Sequence, residues 1–181
     1  MKGTKQHRLM LVGDSMIEYG NWQAWFPHWM VENLGWSGES VGELRRRAEL
    51  IVRQQQEPDL VLVMIGTNNV AMQDFNFFAD YGKILTIFQE GYPGAELVAN
   101  SLLPMDLRYL AADTLPRVNA QLKDLSPRYG AHYLDVHTHM VDSVGHPLAD
   151  VLEDEVHLSH FGYTIWAGVL KDFLNSFPPK T

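Results

Sequence analysis

The sequence predicts an α/β domain in which a parallel sheet carries helices on both faces. Three observations lead there. Short apolar runs alternate with longer amphipathic ones along the chain. One of the runs, Leu60-Val61-Leu62-Val63-Met64-Ile65, is apolar at every position, as a central strand covered on both sides requires. No repeat, low-complexity tract or linker divides the chain, so residues 1–181 read as a single domain. That length is enough to bury a sizeable core.

The predicted strands run from Arg8 to Val12, Trp29 to Leu34, Asp59 to Ile65, Glu96 to Ser101 and His132 to Val136. Helices are predicted between them. From Ser40 to Gln56, Val41, Leu44, Ala48, Ile51 and Val52 recur at helical spacing, and Pro58 lies just past the end. From Asp74 to Gln89 the stripe is Phe78, Tyr81, Leu85 and Phe88. From Leu115 to Leu125, Pro116 suits the first turn and Val118, Leu122 and Leu125 share a face. The last helix spans about Phe161 to Asn175, with Ser159 placed to cap it. These aromatic stripes read as core.

Bulk properties exclude several function classes. The formal net charge is −8, whereas a nucleic-acid binder needs a basic face. The one basic run, Arg45-Arg46-Arg47, alternates with Glu43 and Glu49 and reads as a solvated helix face. The chain has no cysteine, so disulfides, thiol nucleophiles and thiolate metal sites are ruled out. The apolar run Leu9 to Val12 is too short for a secretion signal or an integral membrane segment, which points to a cytoplasmic protein.

Ligands of open parallel sheets bind beyond the carboxyl ends of the strands. Gly13-Asp14-Ser15 follows the first strand, Gly35 to Gly38 the second, and Gly66-Thr67-Asn68-Asn69 the third. Asp154 and His157 follow the last strand. The four segments are therefore expected to meet at one rim.

Their residue types suit acyl transfer. A serine hydroxyl needs a base to become a nucleophile, and Ser15 sits at a strand-to-helix turn. Taken alone, it would more naturally be a helix cap. Asp154 precedes His157 by three residues, so on one turn its carboxylate can hold Nδ1 and leave Nε2 free for the serine proton. Glu153 and Glu155 are rival carboxylates at less favourable offsets. Oxyanion donors are available from the Ser15 N–H, the Gly38 N–H and the Asn68 side-chain amide. Each has a plainer reading as a turn residue; their joint placement after successive strands favours the functional one.

On these residues the sequence resembles the SGNH superfamily, the GDSL-like esterases and lipases. The match runs from Leu9 to the final helix in four ordered blocks: Gly13-Asp14-Ser15, Asn33-Leu34-Gly35-Trp36-Ser37-Gly38, Gly66-Thr67-Asn68-Asn69 and Asp154-x-x-His157. The wording of the third block looks most like the platelet-activating-factor acetylhydrolase catalytic subunits and their bacterial relatives. The resemblance implies a three-layer α/β/α sandwich with about five parallel strands, flavodoxin-like. It implies Ser15, His157 and Asp154 as the catalytic set, with Ser15, Gly38 and Asn68 as oxyanion donors. It implies neither metal nor organic cofactor. The sequence departs from the pattern at Met16, the fourth letter of the first block. It departs again at Asn69, often Asp in the family, where loop-steadying hydrogen bonds are expected to change.

The substrate expected is a small-molecule, lipid or sugar ester, with a modest preference for a small acyl group; carbohydrate O-deacetylation is the alternative on the same site. Trp22, Trp25, Phe26, Trp29, Met16 and Met30 read first as core, and Leu103 to Thr114 as a wall of the cleft. A homo-oligomer would be compatible with an exposed apolar face. Two rivals come from other classes. One is a metal-dependent hydrolase using His137 and His139, two apart on a strand, with Asp135, Asp142 and His146 near. The other is a binding module without catalysis on the same kind of sheet.

Overall fold

The computed structural model describes residues 6–176. Five strands form one parallel sheet: β1 (His7–Gly13), β2 (Trp29–Gly35), β3 (Leu60–Met64), β4 (Glu96–Asn100) and β5 (His132–Leu134). Their spatial order is β2-β1-β3-β4-β5, the doubly wound flavodoxin-like order with its switch point between β1 and β3. Seven α-helices connect and flank them among the described residues: α1 (Ser15–Glu18), α2 (Trp22–Trp25), α3 (Val41–Gln54), α4 (Thr67–Ala71), α5 (Phe78–Gly91), α6 (Thr114–Leu125) and α7 (His160–Ser176). The predicted fold class is the observed one.

The apolar pattern explains the layers. Every residue of β3 is buried, as its unbroken apolar run requires. On one face α3 packs against α5. On the other, Trp22 of α2 meets Trp166 of α7 edge to face at 4.8 Å, and Trp22 Nε1 donates to the Ile17 carbonyl at 2.7 Å. Trp22, Phe26 and Met16 are core residues, as expected, whereas Trp25 and Trp29 are only half-buried and Met30 is exposed, Trp29 and Met30 lying on β2 at the edge of the sheet. Asn100 accepts from Trp166 Nε1 at 3.0 Å, tying α7 to the sheet. No helix of the described residues is long and apolar enough to cross a membrane.

Local chemistry sets the element ends. Ser40 and Glu43 form a reciprocal capping box that starts α3. The Ser159 hydroxyl accepts from Gly162 N–H at 3.2 Å at the start of α7, as the sequence suggested. Helix α5 starts at Phe78, four residues later than its periodicity suggests. The Asp74 carboxylate instead accepts from Asn76 N–H at 3.0 Å and from the Asn69 amide at 2.8 Å, holding a turn there. Strand β5 stops at Leu134, short of the predicted Val136. The Ser101 hydroxyl takes the N–H groups of Val136 and His137 at 3.0 and 2.9 Å, and the chain turns into a 3₁₀ helix at His137–His139.

The register decides where the strands end. Gly13 lies opposite Gly35 on one side and Met64 on the other, so β1, β2 and β3 finish level. A Cβ on Gly13 would stand 1.8 Å from the Met64 carbonyl oxygen, a backbone atom. Gly13→Ala should therefore destabilise the protein by about 3 kcal/mol or more. Gly42→Ala, on α3 where a Cβ meets nothing within 4 Å, should stabilise it by roughly 0.5–1 kcal/mol. Urea unfolding of both variants checks the pair; a harmless Gly13→Ala would contradict the packing described.

Candidate active site

The level strand ends deliver three loops to one rim, the loop bearing Asp154 and His157 joins them there, and direct hydrogen bonds connect all four. Trp36 N–H donates to the Gly13 carbonyl at 2.8 Å, docking the loop after β2 on the first strand. Asn68 Nδ2 donates to the Glu39 carbonyl at 3.0 Å, docking the segment after β3 on that same loop. Ser15 Oγ lies 3.2 Å from His157 Nε2, across 142 residues of sequence. His157 Nδ1 lies 2.8 Å from Asp154 Oδ2. Ser15, His157 and Asp154 thus form a continuous hydrogen-bonded chain, ordered hydroxyl, imidazole, carboxylate.

Ser15 does not cap its helix. Asp14 is the N-cap of α1, accepting from Met16 N–H at 3.1 Å, and Ser15 is the first helical residue. Its hydroxyl is left free for His157. Its own N–H has no acceptor among the described residues, as expected for the first turn of a helix.

The Asp154–His157 segment is not the helical turn that the three-residue spacing suggests. It is a tight hairpin-like loop, closed by an antiparallel bridge between Leu152 and Leu158 and by Glu153 N–H donating to the His157 carbonyl at 2.9 Å. Asp154 organises it: Oδ1 accepts the N–H groups of Val156 and His157 at 2.7 and 2.6 Å, leaving Oδ2 for the ring. Those backbone donors and the imidazole hold the carboxyl down to about 2, so it is ionised over the working range although 57% exposed.

Gly38 has φ +79°, a left-handed conformation suited to glycine, and its N–H has no acceptor among the described residues. One Asn68 amide hydrogen is used on Glu39; the other is available. Asn69 shows what the departure from Asp does. Its Oδ1 accepts Val41 N–H at 2.9 Å at the start of α3, while its Nδ2 donates to Asp74 at 2.8 Å. A carboxylate could make only the first of these bonds.

Several neighbours carry no obvious signal in the sequence. Tyr19 packs its ring 5.5 Å from that of His157 and shares a 2.8 Å hydrogen bond with the Ser37 hydroxyl. Glu18 accepts Ser37 N–H at 2.7 Å. The basic run needs correction: Arg47 is no solvated side chain but a partner of the buried Glu39. The segment from 103 to 114 is tied to the loop bearing His157 but supplies none of the lining of the cleft beside that ring. Asp106 N–H donates to the Glu155 carbonyl and the Tyr109 hydroxyl to the Ala71 carbonyl, both at 2.8 Å. A cleft of about 440 Å³ opens beside His157, lined by Tyr19, Asn21, Trp25, Glu153 and His160 among others.

His137 and His139 fall on a 3₁₀ turn, not on a strand. His137 is buried and His139 exposed, so they do not share a face. Burial lowers the His137 pKa. Among the described residues no three His, Asp or Glu side chains are grouped to hold a metal ion.

Comparison with known proteins gives the family. The profile of the GDSL-like Lipase/Acylhydrolase family matches residues 11–165. The human platelet-activating factor acetylhydrolase IB subunit alpha1 is 28% identical over 171 residues, covering 88% of this chain and 72% of its own. Among solved structures, a Streptococcus pneumonia protein named for platelet activating factor superposes with a TM-score of 0.80 at 22% identity, covering 96% of this chain and 86% of that one. A family 3 carbohydrate esterase of Clostridium thermocellum superposes with a TM-score of 0.75 at 15% identity, covering 94% and 96%.

Asp14 makes the stability of the fold sensitive to pH. Burial pushes its carboxyl from an ordinary 3.8 up to about 6, against the pull of Met16 N–H and of Thr67 alongside. Below about pH 4 the carboxyl is protonated whether the chain is folded or not; above about 6 it is charged in both. The folded state carries the cost only when the group is charged, so stability falls by about 3 kcal/mol as pH rises from 4 to beyond 6. Asp14→Asn keeps an acceptor for Met16 and should flatten that slope. Urea unfolding at pH 4, 5, 6 and 7 checks it; parallel curves for the two proteins would refute the assignment.

Proposed function

The chain belongs to the GDSL-like Lipase/Acylhydrolase family and is a carboxylic ester hydrolase; on that premise we propose that Ser15 is its nucleophile, His157 its base and Asp154 the orienting acid. The observation that carries this reading is the unbroken run from Ser15 Oγ through His157 Nε2 and Nδ1 to Asp154 Oδ2, at 3.2 and 2.8 Å. With Nδ1–H donating to Asp154, Nε2 is the acceptor for the serine proton. Serine oxygen attacks the ester carbonyl carbon as its proton moves to Nε2. The carbonyl becomes an oxyanion, for which the Ser15 N–H, the Gly38 N–H and the free Asn68 amide hydrogen are the available donors. The C–O bond to the alcohol then breaks, and Nε2 returns the proton to the leaving oxygen. Water repeats the sequence on the acyl-serine, releasing the acid and restoring the serine.

The substrate we propose is an ester of a short acyl group. The large apolar side chains after Ser15 that would have built a long acyl tunnel, Trp22, Phe26 and Met16, are locked in the core. What adjoins His157 is an open cleft mixing aromatic and polar groups, which suits a polar alcohol portion such as a sugar or a glycerol derivative. The likeness to a carbohydrate esterase and to the acetylhydrolase subunit points the same way.

Ser15→Ala should lower kcat on p-nitrophenyl acetate roughly 10⁴-fold or more with the fold intact. A fluorophosphonate probe should add its mass to the peptide bearing Ser15. Turnover in the variant, or labelling elsewhere, would overturn the catalytic assignment. Across p-nitrophenyl esters from acetate to dodecanoate, activity should fall with chain length; a maximum on the long chains would overturn the acyl preference.

A further inference from the structure

The loop from Trp36 to Ser40 holds Gly38, and its conformation is fixed from the side by a buried ion pair. Glu39 is only 6% exposed, and a carboxylate removed from water needs a charged partner that also satisfies its oxygens. Arg47, two turns into α3, supplies that in a two-pronged grip: Nε to Oε1 and Nη2 to Oε2, both at 2.6 Å. Nη2 also reaches the Leu34 carbonyl at 3.0 Å, and the guanidinium lies 5.7 Å from the centre of the Trp36 ring. One side chain therefore touches the end of β2, the start of the loop and its buried carboxylate.

The residue so held is the one that the oxyanion donors depend on. Glu39 directly follows Gly38, and its carbonyl is the acceptor that orients the Asn68 amide. We propose that Arg47 is a positioning residue for the oxyanion site: by gripping Glu39 it sets both the Gly38 N–H and the Asn68 amide where the tetrahedral oxygen forms. The proposal rests on the roles given above to Ser15, Gly38 and Asn68. It assigns Arg47 no contact with substrate. Its loss should therefore appear in kcat, where the oxyanion is stabilised, and not in KM.

The test is steady-state kinetics on p-nitrophenyl acetate for Arg47→Lys, Glu39→Gln, Asn68→Ala and the double variant Arg47→Lys/Asn68→Ala, with melting temperatures alongside. Arg53→Gln, which breaks the exposed pair with Glu49 at the far end of α3, serves as control and should leave kcat unchanged. Arg47→Lys keeps the charge but loses the two-pronged grip. It should lower kcat about 10-fold with KM within about twofold, and Glu39→Gln should lower it less. In the Asn68→Ala background the same lysine substitution should cost less than about threefold, because one of the two donors it orients is gone and only the Gly38 N–H is left to misplace. If Arg47→Lys retains full kcat, or its effect multiplies unchanged with that of Asn68→Ala, the positioning role is wrong. If Asn68→Ala itself costs nothing, the oxyanion reading fails, and this inference with it. Lysine at 47 and glutamine at 39 each retain a hydrogen-bonding partner; should one variant not fold, the other carries the test with the same outcomes.

Discussion

The level ending of three parallel strands at Gly13 is the constraint on which the rest depends. A parallel ladder fixes register along its whole length, so once Gly13 lies between Gly35 and Met64 the loops that follow have no freedom to emerge at different heights. Tightness enforces it, since the Met64 carbonyl occupies the space that any side chain at position 13 would need. Ser15, Gly38 and Asn68 come from segments 23 and 30 residues apart in sequence and owe their proximity to this alignment. The hydrogen bonds from Trp36 to Gly13 and from Asn68 to Glu39 then hold the loops to one another.

Carboxylates of opposite character flank Ser15. Asp154 is exposed, saturated with donors and strongly acidic; Asp14 is fully buried and weakly acidic. Solvation and hydrogen bonding separate them, not residue type. Asp154 thereby supplies a permanent charge for the imidazole, while Asp14 serves the backbone, capping α1 and freeing the Ser15 hydroxyl from that task. A third carboxylate, Glu39, is buried yet matched by Arg47.

Much of this was legible in the sequence, for identifiable reasons. Strand β3 is unmistakable because a doubly covered strand must be apolar throughout, and α3 because its stripe, cap and following proline agree. The set of Ser15, Gly38, Asn68, Asp154 and His157 is readable because each stands just after a strand or at a fixed offset from its partner. What the sequence hid are features that depend on competing hydrogen bonds. Asp74 looks like the start of a helix, yet its carboxylate finds two better donors in a turn. Val136 looks like strand, yet the Ser101 hydroxyl captures its N–H. The spacing of Asp154 and His157 suggested a helical turn; a bridged loop produces the same pairing. Arg47 sits among like-charged neighbours that face water, and nothing local marks it as the one that turns inward. The partner that makes it different lies in the preceding loop.

The strap between β4 and α6 has a consequence of its own. It is attached through Asp106 to the loop bearing His157 and through Tyr109 to the end of α4. At each attachment the acceptor is a main-chain carbonyl, which every residue type offers. Between those two tethers the strap contributes no ladder and belongs to no helix. Its first part is fixed by the buried side chains of Leu103 and Met105, whereas Asp106, Arg108 and residues 111–113 are exposed, and a relative could change those without disturbing a single strand. Variation in this lineage has a natural place to occur, in exposed positions tethered to the loop bearing His157 while the sheet beneath stays as it is.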